Sequence, residues 1–435
     1  MKGLEAATDL LRLAGSAALG LLLSPFYYIG VLLIMLQYFR QTRLERKLFH
    51  VRLHAWPNQL ARTMLAGLVV GVLITLIGLF LGVTVNGEAV LWLWGAAVVL
   101  LLVRVRYLCF AYSAGMLGLL QWGLGWSSLD GRGDWIGTAV RSIGGLDIPG
   151  LLVLVALMHI AEGLLVRWQG ARFASPLFLE GKRGKLVGGY MLQGYWPVPM
   201  LLLVPAAAGG GGVDLPWSLL LGGGSAWSHG VTMIGFPMMI GFTELTRTML
   251  PGAKARSASK ALLLYGLAVG VVAVAASYWS PLMLAAALCA LLFHEALVAV
   301  SYYKEDANTS LYVHDGRGLR ILAVIPGTPA EAMGLQAGEI IQKVNGALVR
   351  SKEELHAALH INSAFCKLEA INLEGHVKFV QRARYAGEHH QLGVVLSPDD
   401  QAGFYAAASP ASLFDLLRKR TAKSRSRSTS ASSSL

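Results

Sequence analysis

RGLRILAVIPGTPAEAMGLQAGEIIQKVNGALVRS, residues 317–351, is the only long stretch after residue 303 that reads as a compact soluble fold. Gly318 leads into Leu319 to Val324, which suits a strand. Pro326-Gly327 is a turn, and Pro329 fits the first turn of a short helix, where no amide hydrogen is needed. Gly334 ends that helix. Ala337-Gly338 makes the next turn, Ile340 to Val344 a second strand, and Asn345-Gly346 a turn with positive φ. Ser351 then caps a helix, with Glu354 three residues on, a capping-box spacing. Leu355, Ala358 and Leu359 form the apolar face of that helix.

This order of strand, PGTPA, GLQAGE, strand, NG and helix resembles the PDZ domain. The resemblance implies a small α+β module that binds short extended peptides. The peptide adds a strand beside a helix, so backbone hydrogen bonds give affinity and side-chain pockets give specificity. Downstream, Lys367 to Leu373 and His376 to Arg384 read as a hairpin around Glu374-Gly375. Gly387 to His390 is a turn, Leu392 to Leu396 a last strand, and Pro398 breaks it.

The rest of the chain is of another kind. It has 435 residues, 55% hydrophobic and 14% charged, where soluble domains carry about 25% charged residues. That composition makes it a polytopic α-helical membrane protein followed by the small module. The net charge of +12 follows from basic cytoplasmic loops, so no nucleic-acid partner is expected. Three cysteines give no disulfide framework, and Cys109, Cys289 and Cys366 are expected to be reduced and structural. The start is not expected to act as a signal peptide, because Lys2 is offset by Glu5 and Asp9 and no small-x-small cleavage site follows the apolar run before Ser24-Pro25.

A helix needs about 20 apolar residues to cross the hydrocarbon core. Residues 1–24 read as an interfacial or re-entrant helix and 25–303 as a transmembrane domain of about eight to nine helices. The spans fall at 25–39, 60–82, 89–103, 107–126, 146–166, 190–208, 216–243, 261–279 and 281–303. Basic residues alternate strictly between the loops. One set holds Arg40, Arg43, Arg46, Lys47, Arg52 and Arg62, then Arg104 and Arg106. It continues with Arg167, Arg172, Lys182, Arg183 and Lys185, then Arg247, Lys254, Arg256 and Lys260. The intervening loops hold only Arg132 and Arg141. The positive-inside rule puts the rich set in the cytoplasm, and with it the PDZ-like domain at 304–400. Residues 401–435 are a linker and a basic, Ser-rich tail expected to be disordered and able to touch anionic lipid.

Catalytic patterns are sought and not met. A zinc protease needs two histidines four apart on a helix with a glutamate after the first. His294-Glu295 starts such a motif, but Val298 stands where the second ligand belongs. His50 and His54 are four apart, but Val51 follows the first. His159 is followed by Ile160, with Glu162 three on. Gly224-Ser225-Ala226 lacks the glycine of a rhomboid-type nucleophile, and no Walker motif exists for a pump. No catalytic residue, metal or cofactor is therefore expected. A protease-related protein, a PDZ-bearing protease regulator and, behind them, a transporter are the alternatives. Glu162 with His159, Glu244, and His294-Glu295 are the intramembrane ionisable residues, each expected near a span end or paired locally.

Three segments carry a wider resemblance: ERKLFHVRLH at 45–54, RGLRILAVIPGTPAEAMGL at 317–335 and QRARYAGEHHQLGVVL at 381–396. With the many spans and the C-terminal PDZ, they resemble the MinJ family of division-site proteins of Gram-positive rods. The resemblance implies a non-enzymatic scaffold at the septum and poles. It would bridge a DivIVA-like polar scaffold and the MinD-like ATPase that carries the MinC inhibitor of FtsZ assembly. Asn308 to Val313 follows the membrane too closely to supply the PDZ carboxylate loop. Leu392-Gly393-Val394-Val395 can instead provide the groove strand in a permuted order. The expected peptide-binding residues are Leu355, Ala358 and Leu359 on the helix, with Leu355 and Leu359 also packing inward, and Leu392, Gly393 and Val394 on the strand.

Overall fold

A computed structural model describes residues 2–83, 85, 87–181, 184–206, 212–221, 229–362, 364–383 and 392–399. The turn expected at 387–390, the linker and the tail lie outside them. The chain opens with α1 (Lys2–Leu23) and α2 (Pro25–Phe49), bent by 55° at Ser24. Pro25 has no amide hydrogen and its ring collides with the preceding turn, so the helix breaks there. Then come α3 (Trp56–Leu81), α4 (Gly87–Val103), α5 (Phe110–Leu124), α6 (Trp135–Gly144) and α7 (Ile148–Leu165). Asp134 and Asp147 cap α6 and α7 by accepting from the amides of Gly137 and Gly150. α7 is the most enclosed helix of the membrane half.

The chain then changes to strands: β1 (Ala174–Glu180), β2 (Leu186–Pro205) and β3 (Val231–Thr246), an antiparallel sheet in that order. This corrects the helices expected over 190–208 and 216–243. Helices α8 (Pro251–Tyr278) and α9 (Leu282–Ala307) complete the membrane half. Among the described residues four helices, α3, α7, α8 and α9, are long and apolar enough to cross a membrane. The bent α1–α2 pair makes a fifth. The 17-residue α4 and 15-residue α5 are shorter.

Strands at this depth are admissible only if protein covers their polar edges, because lipid offers no hydrogen bonds. β2 runs beside α3, with Gly67 against Pro197 and Gly71 against Pro199. Side chains and amides alternate along a strand, so residues 197, 199 and 201 turn their backbone groups the same way, away from β3. Two of the three are proline and bring no N–H. The third, Leu201, donates to Thr75 Oγ1 at 2.9 Å, and Thr75 in turn donates to the Gly71 carbonyl at 2.8 Å. The exposed edge of β3 is covered by α1, with Gly235 against Ala17 and Leu21. Prolines remove donors, a threonine satisfies one, and glycines let helix and strand approach.

The module after α9 contains β4 (Leu319–Val324), α10 (Pro329–Ala332), β5 (Ile340–Val344), β6 (Ala347–Leu348), α11 (Lys352–His360), β7 (Phe365–Ile371), β8 (Val377–Ala383) and β9 (Val394–Leu396). Its sheet order is β8-β7-β5-β4-β9, with β6 on β5. The turns are those read from the sequence: Asn345 has φ 50° and Gly346 φ 86°, and Ser351 with Glu354 forms a reciprocal capping box. Leu319, Ile321, Ile341, Val344 and Leu368 fill a separate core. The other face of β4 and β9 docks on the membrane half. Leu322, Ala323 and Val395 join the large membrane cluster, Tyr190 donates from its hydroxyl to the Leu322 carbonyl, and the Gly188 amide donates to Tyr312 at 2.9 Å.

Candidate functional site

The candidate groove is built from the last strand inward. β9 pairs with β4 on one side, Val394 opposite Val324 and Val395 opposite Ala323. Among the described residues no strand lies on its other side. Gly393 accepts from the Ile325 amide and the Ser397 amide donates to Arg320, both at 2.9 Å. Residues 393, 395 and 397 thus turn their backbone groups toward β4. Alternation then points the N–H and C=O of Val394 and Leu396 to the open edge.

Gly393 begins the strand at φ 86°, and a Cβ there would collide with the Thr328 side chain. Both reasons require glycine. Its carbonyl and that of Leu392, which accepts from Ala330 at 3.0 Å, are used inside the module. Leu392 is buried in the same core cluster as Leu355, Ala358 and Leu359, and Val394 and Leu396 pack against that cluster. Five of the six expected residues thus belong to or pack against the module's core cluster, and Gly393 lies between two of them in the chain. The structure encloses the three from α11, so His356 and His360, ring-stacked at 5.2 Å, form the exposed side of that helix. Asn345 ties α11 to the sheet: its side chain donates to the Ala358 carbonyl and accepts from the Lys367 amide.

A linker clamp holds the module's entry. Asp315 accepts from Arg317 at 3.0 Å and from Arg320 at 2.9 Å, and Arg320 also donates to the Gly338 carbonyl. The Arg317 hydrogen bond holds the Asp315 carboxyl below its ordinary range.

The membrane half contains a second concentration of polar groups, around a cavity of about 1310 Å³. The intramembrane residues singled out from the sequence all line it or adjoin it. Except for His159 with Glu162, at 4.0 Å, their partners are distant in sequence, which corrects the expectation of local pairing. Lys254 from α8 bridges Glu244 of β3 at 3.1 Å and Glu305 of α9 at 3.3 Å. Glu295 pairs with Arg106 at 2.6 Å and accepts from the Tyr112 hydroxyl at 2.7 Å. Cys109, which no local motif marks, lies against both His159 and His294.

Comparison with known proteins agrees with this layout. The PDZ domain family matches residues 320–367. The chain is 31% identical over 397 residues to the cell division topological determinant MinJ of Bacillus subtilis (strain 168), covering 90% of this chain and 96% of the relative. It is 25% identical over 370 residues to the probable cell division topological determinant MinJ of Lacticaseibacillus paracasei, covering 83% and 92% respectively. No solved structure matches. A polytopic membrane half, a PDZ domain after it and this near full-length identity mean that the chain belongs to the MinJ family of cell division topological determinants.

Proposed function

We propose that this chain is a non-enzymatic membrane adaptor of division-site selection. Its PDZ module holds a cytoplasmic division regulator by strand addition to β9. The observation that carries this reading is the outward edge at Val394 and Leu396, whose side chains pack against the cluster that holds the buried face of α11, in a chain of this family. An extended peptide on that edge gains main-chain hydrogen bonds from β9 and apolar contact from the partly exposed Val394. The MinD-like ATPase is the partner assigned to this groove. The DivIVA-like polar scaffold is assigned to the membrane half and its basic loops, with Arg43 to Arg52 first. The alternation of basic residues supports a cytoplasmic module, and it survives the replacement of two helices by a hairpin. An antiparallel hairpin, like a helix pair, goes out and returns, so the parity of crossings is unchanged. The protein would then sit at the septum and poles.

Val394→Pro tests the reading. Proline at 394 removes an N–H that points outward and leaves the bonds to β4 at 393 and 397 in place. The variant should reach septum and poles while the MinD-like partner is released from them. Retention of that partner by a correctly folded Val394→Pro protein would remove the groove as the bridge and leave the loop at 43–52 as the contact to test.

A further inference from the structure

We infer that Cys109, His159 and His294 form a binding site for a zinc ion in the wall of the membrane cavity. The three come from separate segments: the turn before α5, the middle of α7 and the middle of α9. Cys109 Sγ lies 3.5 Å from His159 Nε2 and 3.6 Å from His294 Nε2. A thiolate 2.3 Å and imidazoles 2.0–2.1 Å from one tetrahedral ion are themselves about 3.5 Å apart. Both sulfur–nitrogen distances match that spacing, and the three donor atoms all lie within 4.8 Å of one another.

The proton positions point the same way. His159 Nδ1 lies 2.8 Å from the Val155 carbonyl, which can only accept, so Nδ1 carries the proton. His294 Nδ1 lies 3.0 Å from the Tyr112 hydroxyl. That hydroxyl gives its one proton to Glu295, whose charge is held by Arg106. It must therefore accept from Nδ1–H of His294. Both imidazoles thus present a bare Nε2 lone pair to the same sulfur. A thiol has one proton and can satisfy only one of them; a cation satisfies both and the thiolate together. Metal-bound histidines characteristically donate their other ring nitrogen to a carbonyl or to a carboxylate-linked group, which fixes the tautomer. Both histidines do so here.

Donor type selects the ion. One thiolate and two imidazoles suit zinc and exclude the oxygen-seeking magnesium and calcium. Glu162, with Oε2 4.0 Å from His159 Nε2, lines the same cavity and can serve the fourth position through a water molecule. Zinc with one thiolate and one carboxylate is neutral, the charge state that a membrane interior tolerates best. His159 is buried, and the cavity is lined by all four residues. The consequence is mechanical: one ion would clamp α5, α7 and α9 together, and α9 leads directly into the PDZ module.

The test uses the full-length chain in detergent with any affinity tag removed, stripped by a chelator and then given Zn²⁺ or Co²⁺. About one equivalent of zinc should be retained after gel filtration. Co²⁺ should give an intense thiolate-to-metal charge-transfer band, lost in Cys109→Ala and kept in Cys289→Ala. Cys109→Ala and His159→Gln should bind at least about tenfold more weakly, and Tyr112→Phe, which frees the His294 tautomer, about tenfold. Should a variant fail to fold, the wild type alone decides. Zn²⁺ should slow maleimide alkylation of Cys109 at least about tenfold and leave Cys289 unchanged. A folded wild type that retains no zinc, or whose Cys109 alkylation ignores it, overturns the site. So does a folded Cys109→Ala that holds zinc as tightly as the wild type.

Discussion

Two alanines on one helix should have opposite effects. Gly71 and Gly78 lie two turns apart on α3, and alanine is the better helix former at both by up to about 1 kcal/mol. Around Gly78 an added Cβ meets nothing within 4 Å, so Gly78→Ala should be neutral or slightly stabilising. At Gly71 the Cβ would land on the Pro199 carbonyl, far inside the 3.0 Å that real Cβ contacts respect. The obstacle is strand backbone and cannot rotate away. Relief requires helix and hairpin to separate by about 1 Å, and overpacking of this kind costs about 1–3 kcal/mol. Separation also stretches the Leu201 amide bond to Thr75, which has no substitute at this depth; losing it adds about 1–3 kcal/mol. Against the helix-propensity gain, Gly71→Ala should lose about 1–5 kcal/mol net. The assay is the thermal midpoint of the detergent-purified protein by gel-filtration recovery, with Gly78→Ala measured beside it. Gly67→Ala, which meets Pro197 in the same way, should repeat the loss. Equal midpoints for Gly71→Ala and Gly78→Ala would show that the hairpin does not lie against α3.

In the PDZ module, Ile341 is fully buried, and Ile341→Ala should cost about 2–5 kcal/mol by pulse proteolysis of the full chain. Val395→Pro should disrupt the module by removing a donor to β4, whereas Val394→Pro should leave its proteolysis pattern unchanged; equal damage from both would mean the alternation along β9 is misassigned. Asp315→Asn should destabilise the module by at most about 1 kcal/mol at neutral pH, since the pair is largely solvent-exposed. Because the folded carboxyl is depressed, that contribution is present above the ordinary carboxylate range and lost as pH falls through the folded value. The wild-type and Asp315→Asn unfolding midpoints should therefore converge below about pH 4. Impermeant maleimide on intact cells should label a cysteine at Asp130 and not one at Glu374, and labelling at Glu374 would reverse the orientation.

The PDZ module was legible in the sequence because its determinants are local. Pro329, Asn345-Gly346 and the Ser351–Glu354 box each fix a turn or cap with residues three or four apart. Membrane character was legible for a similar reason, since it depends on composition summed over a window. The hairpin was misread because strands with apolar residues on both faces lose their alternation, and a long apolar run then looks like a helix. Its one local signal was Pro197, Pro199, Pro205 and Pro237, each of which would cost a helix interior about 3 kcal/mol. The partners of those strands lie in α1 and α3, more than 100 residues away, and only the tertiary structure could supply them. The same holds for Cys109, His159 and His294. Their separations of 50 and 185 residues from Cys109 match no motif, and the packing of α5, α7 and α9 alone brings two lone pairs to one sulfur.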